Sequence, residues 1–260
     1  MSKDLLNKKN HRYWIYRAGG YSEVNREELS GIQKDTWAEL MDSEIRGHFG
    51  IEEYERKSLR VLDIGAGPGF LSIILARLGY RVTAGDFAET MLAEAVKNAG
   101  KTAEKIDFRI ENAMDLSFAN GTFDVVIARN LTWNLPEPEL AYSEWLRVLK
   151  ERGLMLVFDA NWYAYLRDEK KRAAYDEDRK NVKGSGFGDY NIGENFDVME
   201  HIADNMPLTG IRRPMWDEEF FSNRGVRSVT AREDIGSVLY SEKEKVNYAS
   251  TPMFMVRVVK

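Results

Sequence analysis

The fold is decided by the stretch Arg60-Val61-Leu62-Asp63-Ile64-Gly65-Ala66-Gly67-Pro68-Gly69. The first half of this stretch is a short β-rich run, and its second half places a glycine at every other position. Because glycine has no side chain, the backbone can turn tightly there and approach a ligand closely, while the following helix offers free N–H groups. The pattern predicts a strand, a glycine turn that binds a nucleotide-like ligand, and a helix.

After this stretch, short β-rich runs alternate with helical patterns. Strands are expected at 59–64, 80–85, 106–111, 123–128 and 154–158, and helices at 69–78, 88–99 and 137–150. The run Val125-Val126-Ile127 has no polar residue between its apolar ones, which is typical of a strand buried on both faces. The alternation predicts an α/β fold with a mainly parallel sheet covered by helices on both faces.

The segments before and after this alternation of strands and helices are less regular. An amphipathic stripe before the first strand, within 24–47, is formed by Leu29, Ile32, Trp37, Leu40, Met41 and Ile45. Residues 161–215 begin as a charged helix and continue as a loop that contains Gly184, Gly186, Gly188, Gly193 and Gly210. We interpret this insertion as a substrate cap. A helix at 217–223 and strands at 226–232 and 253–259 are expected to follow.

These patterns predict one domain over 1–260. Its parts are a helical cover at 1–50, a ligand-binding core at 59–160, the cap at 161–215, and a helix with two strands at 216–260 that complete the sheet.

The composition excludes several classes of protein and site. The chain has no cysteine, which rules out disulfides, thiolate nucleophiles and cysteine metal sites. Its three histidines, His11, His48 and His201, are too far apart to form a readable metal motif. A net charge of −5 argues against a general nucleic-acid-binding surface. The sequence shows neither a signal peptide nor an apolar run of roughly 20 residues, so we expect a cytoplasmic protein without a membrane span.

Two features distinguish the possible ligands of the glycine turn. The dinucleotide fingerprint requires a third glycine three residues after the second, where this chain has Phe70. Asp63 would repel a pyrophosphate but attract a cationic amino-acid ligand. Asp86, at the end of the second strand, can accept hydrogen bonds from ribose hydroxyls in either ligand class. The spacing therefore disfavours a dinucleotide without excluding it.

Taken in order, the motifs resemble those of the class I S-adenosylmethionine-dependent methyltransferases, of the small-molecule type similar to the ubiquinone-biosynthesis-like branch. The matching pieces are the turn at 61–69, Gly85-Asp86-Phe87, Glu111-Asn112-Ala113-Met114-Asp115-Leu116, Phe123-Asp124-Val125-Val126 and Leu146-Arg147-Val148-Leu149-Lys150. The resemblance covers roughly 59–160. It implies a Rossmann-like, seven-stranded, mostly parallel sheet whose last strand is antiparallel, with S-adenosylmethionine as cofactor.

The resemblance also implies a set of cofactor contacts. These are Tyr21, Asp63, Gly65, Ala66, Gly67, Asp86, Phe87, Asn112, Ala113, Met114, Arg129 and Asn130. Asn112 stands where aspartate is common in the family, and its alternative role is to cap a loop. Arg129 or Asn130 is expected near the amino-acid end of the cofactor, and Tyr21 or Arg17 near its carboxylate. Ordinary aromatic packing is the alternative for the segment that contains Tyr21.

The methyl acceptor is harder to predict, because transfer from a sulfonium requires positioning rather than a fixed catalytic motif. The Asn-Pro-Pro-Tyr sequence typical of methylation on base or amide nitrogens is replaced here by Asn130-Leu131-Thr132-Trp133. The one catalytic candidate is Asp159, as a proton acceptor or alternatively a helix N-cap. The substrate-binding candidates are Trp133, Trp162, Tyr163 and Arg212. Their alternatives are core packing for the rings and solvation for the arginine.

The leading hypothesis is a small-molecule methyltransferase without a metal site. A protein or RNA methyltransferase, which would need an open catalytic edge, is the first alternative. A cofactor-binding regulatory protein without transfer activity is the second, and an oxidoreductase is a distant further one. No pattern in the chain indicates its oligomeric state.

Overall fold

The computed structural model describes residues 2–191 and 195–260, so the predicted loop position Gly193 lies outside it. One sheet contains the strands β1 Arg60–Ile64, β2 Arg81–Asp86, β3 Ile106–Ile110, β4 Phe123–Arg129, β5 Leu149–Asp159, β6 Ser228–Arg232 and β7 Phe254–Val259. Its order is β3-β2-β1-β4-β5-β7-β6, and β7 runs antiparallel to both of its neighbours. The predicted seven-stranded, mostly parallel sheet with an antiparallel last strand is confirmed.

The helices are α1 Lys3–Ser30, α2 Gln33–Phe49, α3 Phe70–Leu78, α4 Glu89–Ala99, α5 Pro138–Val148, α6 Glu169–Ser185, α7 Phe196–Asp204, α8 Met215–Ser222, α9 Gly236–Leu239 and α10 Glu242–Asn247. Within the described ranges, no helix combines the length and the apolar character needed to cross a membrane.

The sheet lies between two apolar layers, because neighbouring residues of a strand point to opposite faces. In β4, Val125 and Ile127 pack into one cluster with Trp37 of α2, whereas Val126 packs into the other with Trp145 of α5. The continuous apolar run of β4 is thus explained by burial on both faces.

Strand β5 is longer than predicted. It begins at Leu149 rather than at 154, and its pairing with β4 shifts register between Phe123 and Val125. Glu151 and Arg152 are exposed and interrupt the apolar pattern from which the strand was predicted.

The predicted stripe within 24–47 is divided between two helices. Helix α1 ends at Gly31, and Ile32 is 79% exposed instead of facing the core. Trp37, Met41 and Ile45 recur every four residues along α2 and are buried. The stripe prediction therefore holds for α2 but is wrong for Ile32.

The cap contains more helix than predicted. Helix α6 matches the expected charged helix, but α7 occupies part of the segment predicted as a loop. The buried face of α7 includes Met199 and Ile202, which pack against Leu6 of α1. A nine-residue helix is marginal alone, so this packing accounts for its formation.

Buried charges attach the end of the cap to the sheet. Arg213 lies between Asp159 at the end of β5 and Asp217 in α8, with Nη1 2.6 Å from Asp159 Oδ2 and Nη2 2.7 Å from Asp217 Oδ1. Tyr142 of α5 donates to Asp217 and accepts from Arg213 at 3.1 Å. Breaking such a network is costly, because the remaining partners stay buried with an unmatched charge.

We expect Asp159→Ala to lower the free energy of unfolding by about 3 kcal/mol, since it removes one partner of a buried ion pair. Urea denaturation measures this change. The matched control is Asp107→Ala, whose ion pair with Arg109 is about half exposed and should contribute less than about 0.5 kcal/mol. Equal, small losses in the two variants would show that the network does not hold the cap.

Candidate functional site

The carboxyl ends of β1, β2 and β4 meet at a crevice between β1 and β4, where the strand order reverses. A cleft with about 910 Å³ of space, part of it open to solvent, lies there. We call it the glycine-turn cleft. All of the predicted cofactor contacts line it: Tyr21, Asp63, Gly65, Ala66, Gly67, Asp86, Phe87, Asn112, Ala113, Met114, Arg129 and Asn130.

The backbone of the turn requires its glycines. Gly65, Gly67 and Gly69 have φ values of +70°, +52° and +89°, in the left-handed region that glycine adopts readily. A Cβ atom on Gly65 would lie 2.7 Å from the Leu131 side chain, and one on Gly67 would lie 3.7 Å from the Tyr21 ring. The turn is therefore closely covered by the loop after β4 and by α1.

Two buried carboxylates stand at the strand ends. Asp63 Oδ2 accepts from Ser72 Oγ at 2.5 Å, and Asp86 accepts from the backbone N–H groups of Gly67 and Ala88 at 2.9 Å each. Burial raises the pKa of both Asp63 and Asp86 to about 6. A ligand that is cationic or donates hydrogen bonds would favour their ionised forms.

Three side-chain oxygens in the cleft have no hydrogen-bond partner among the described residues. They are the Oδ1 atoms of Asn10, Asn130 and Asn134, all buried. Asn10 Nδ2 also donates to the Asn134 carbonyl at 3.0 Å, which ties α1 to the loop after β4. Buried acceptors without donors are costly, so the cleft suits a ligand that carries N–H and O–H groups. Neither Asn10 nor Asn134 was predicted, since no motif marks them.

Asn112 takes the alternative role predicted for it. Its Oδ1 accepts from the Met114 N–H at 3.0 Å, which caps the loop after β3. Its side chain is exposed at the rim of the cleft.

Arg129 is already paired within the protein. Its guanidinium forms an ion pair with Glu28 of α1 and lies 4.8 Å from the ring centre of Trp37 and 4.7 Å from that of Phe70. Its positive charge is therefore largely matched before any ligand binds. Glu28 was not predicted, because the pair joins residues that are 101 positions apart.

A second space of about 990 Å³, the aromatic cavity, adjoins the cleft. Its wall includes three of the predicted substrate residues, Trp133, Trp162 and Tyr163, together with Tyr13, Arg17, Tyr190, Phe196, Tyr240, Glu244 and Tyr248. Four residues line both spaces: Trp14, Tyr21, Arg129 and Asn130. We call these four the shared wall.

Two predicted residues need correction. Arg212 is exposed and lines a surface depression with Asp168 instead of the aromatic cavity. Asp159 is fully buried, and its oxygens accept from Arg213, from the Trp133 N–H at 3.0 Å and from the Ala160 N–H at 2.9 Å. These contacts show that Asp159 holds Arg213 and the backbone of Trp133 in place.

Comparison with known proteins agrees with this geometry. Residues 62–157 match the family described as a methyltransferase domain. This part of the chain is therefore a methyltransferase domain. This domain contains the glycine turn, both strand-end carboxylates and the loop after β4.

Two curated relatives of the methyltransferase domain are named ubiquinone biosynthesis O-methyltransferase. One, from Xanthomonas oryzae pv. oryzae, is 33% identical over 103 residues, which cover 39% of this chain and 43% of the relative. The other, from Parvibaculum lavamentivorans, is 32% identical over 117 residues, which cover 44% and 46%. The match thus spans less than half the length of these relatives.

Solved structures share the fold over most of the chain. A methyltransferase structure from Methanococcus maripaludis superposes with a TM-score of 0.56 at 16% identity and covers 92% of this chain and 91% of its own. A phosphoethanolamine N-methyltransferase of Haemonchus contortus, in complex with S-adenosyl-L-methionine, has a TM-score of 0.53 at 16% identity and covers 91% and 60%. At these identities the likeness concerns the fold.

We expect S-adenosylmethionine affinity to fall between about pH 7 and about pH 5.5, by roughly fourfold for each carboxylate that must be ionised. The sign follows from the raised pKa values of Asp63 and Asp86, about 6, because protonation removes the charge that favours the cofactor. Calorimetric titration at each pH measures the change. Asp86→Asn should bind more weakly and with a shallower pH dependence, whereas a pH-independent wild-type affinity would contradict the assignment.

Proposed function

We propose that this protein transfers a methyl group from S-adenosylmethionine to a small-molecule acceptor bound in the aromatic cavity. The observation that carries the proposal is the shared wall, where Tyr21 and Asn130 line both the glycine-turn cleft and the cavity. A donor in the cleft and an acceptor in the cavity would meet at this wall. Methyl transfer by in-line displacement needs such a fixed approach of the two reactants.

The cleft residues fit the cofactor chemically. Asp86 would accept from the ribose hydroxyls, Asp63 would favour the ammonium group, and Phe87 would pack near the adenine. The unpartnered oxygens of Asn10 and Asn134 add acceptors for the N–H and O–H groups of the same ligand. When bound, S-adenosylmethionine supplies a methyl group already activated by its positively charged sulfur.

The aromatic cavity would hold the acceptor and exclude water. Its rings come from α1, from the loops after β4 and β5, and from the segments around α7 and α10. Helix α7 packs on α1 and contributes Phe196 and Met199 to the cavity wall, so it covers part of the aromatic cavity. This cover favours a small acceptor over a folded protein or RNA, which would need an open edge.

Incubating the protein with a cell extract and a labelled methyl donor should place label in the small-molecule fraction. The reason is that the proposed acceptor binds in the aromatic cavity, which α7 partly covers. Chromatography separates labelled small molecules, protein and RNA, and boiled protein is the control. Label only in protein or RNA would contradict the small-molecule proposal, and cofactor binding without any label would contradict transfer.

Trp162→Ala should lower kcat/KM for the acceptor found in this way by about tenfold, while the Kd for S-adenosylmethionine changes less than about twofold. Trp162 lines the aromatic cavity and is absent from the wall of the cleft. Steady-state kinetics measures kcat/KM, and calorimetry measures the Kd for S-adenosylmethionine. Tyr54→Ala, which removes a ring that is 74% exposed, is the matched control and should change neither. Equal losses in turnover and cofactor binding would count against Trp162 as a substrate wall.

A further inference from the structure

One buried carboxylate of the aromatic cavity lacks a cationic partner in the described part of the chain. Glu244 of α10 is 7% exposed. Its Oε2 accepts from Gln33 Nε2 at 2.5 Å, from the Ser241 N–H at 2.9 Å and from Ser241 Oγ at 2.8 Å. No described lysine or arginine forms an ion pair with Glu244, since Arg129 pairs with Glu28 and Lys243 with Glu27. A buried carboxylate without an ion-pair partner in the protein favours the binding of a cationic ligand.

The aromatic cavity is lined by two carboxylates, Glu28 and Glu244, and by two arginines, Arg17 and Arg129, but neither arginine forms an ion pair with Glu244. Glu28 also lines the cavity, but its charge is matched by Arg129. The neighbouring Lys243 pairs with Glu27 at 3.5 Å rather than with Glu244. Burial, followed by the charge of Glu28, raises the pKa of Glu244. A ligand with a positive charge could pair directly with Glu244.

Four aromatic rings line the aromatic cavity together with Glu244 and pack against one another. The Tyr248 ring centre lies 5.0 Å from that of Trp162, 5.7 Å from that of Tyr240 and 5.9 Å from that of Tyr190. We call these four rings the tyrosine box. Ring faces attract cations, and Lys243 Nζ already lies 4.2 Å from the Tyr190 ring centre.

Two polar atoms of the tyrosine box have no partner among the described residues. They are the Tyr240 hydroxyl and the Trp162 indole nitrogen, both buried. The hydroxyl can accept from an ammonium N–H, and the indole can donate to another atom of the same ligand. Glu244 therefore offers a charge to a polar ligand, and the tyrosine box offers hydrogen bonds.

The matched relatives do not determine what this box binds. The family match covers residues 62–157, and Trp162, Tyr190, Tyr240, Glu244 and Tyr248 all lie outside it. The acceptor atom in the relatives' names therefore cannot be transferred to this cavity.

We propose that the acceptor is an amine, bound as a cation in the tyrosine box against Glu244 and methylated on nitrogen. The inference rests on the proposed function and names its substrate class. In the reaction, one N–H proton passes to the Glu244 carboxylate. The freed nitrogen lone pair forms the N–CH3 bond while the S–CH3 bond of the donor breaks, and sulfur keeps that electron pair. The products are the methylated amine and S-adenosylhomocysteine.

The charge preference is tested with choline and its neutral isostere 3,3-dimethyl-1-butanol, titrated into the protein saturated with S-adenosylhomocysteine. We expect choline to bind at least about tenfold more tightly to the wild-type protein, because only choline has the charge that Glu244 and the rings attract. Choline that binds no better than the isostere would overturn the proposal. This comparison requires no variant.

Glu244→Gln should reduce the choline preference at least about fivefold, because the amide removes the carboxylate charge. Glu242→Gln is the matched control, since Glu242 lies in the same helix with its side chain 78% exposed, and it should keep the preference. A preference that survives in Glu244→Gln would also overturn the proposal.

Turnover distinguishes this inference from the proposed function itself. Sets of primary and secondary amines, phenols and carboxylic acids are each incubated with S-adenosylmethionine, and S-adenosylhomocysteine release is measured. We expect release with amines. Release only with phenols or carboxylic acids would overturn the amine inference and uphold methyl transfer to small molecules. No release with any class, together with no labelled small molecule from the cell extract, would overturn both.

Discussion

The crevice between β1 and β4 is the constraint on which the rest of the structure depends. The chain leaves β1 toward β2 on one side and leaves β4 toward β5 on the other, so no crossover covers the space between their carboxyl ends. The polar groups that end these strands, Asp63 and Asn130 among them, would be costly to bury in a closed core. At the crevice they can serve a ligand.

Helices outside the alternating strands and helices of the sheet enclose this crevice and form two adjoining spaces, the glycine-turn cleft and the aromatic cavity. Helix α1 lies over the strand ends, where Glu28 holds Arg129 and Asn10 holds the loop after β4. The cap is anchored from the other side, where Arg213 joins Asp159. The glycine-turn cleft is lined mostly by residues within the family match at 62–157. The aromatic cavity is lined mostly by residues outside that match.

Much of the glycine-turn cleft could be predicted from the sequence because its signals are local. Asp63 and Gly65 belong to one strand and its turn, and Asp86 ends the next strand, so short patterns determine their positions. The aromatic cavity depends on contacts between distant segments. No local pattern could show that Arg213 would occupy the oxygens of Asp159, or that α10 would bring Glu244 beside rings from the loop after β5.

The same difference explains the errors within single elements. Helix α7 was missed because its few apolar residues are significant only against α1, and Ile32 was misplaced because the periodic pattern continues through the end of α1 at Gly31. Tertiary packing decided both cases, in places where local propensity is a weak guide.

The central claim is that donor and acceptor meet at the shared wall. A crystal structure of the complex with S-adenosylhomocysteine tests it most directly. The account predicts that the ribose lies on Asp86 and that the sulfur lies beside Tyr21 and Asn130, facing the aromatic cavity. A sulfur atom directed away from that cavity, or a cofactor bound outside the glycine-turn cleft, would contradict it.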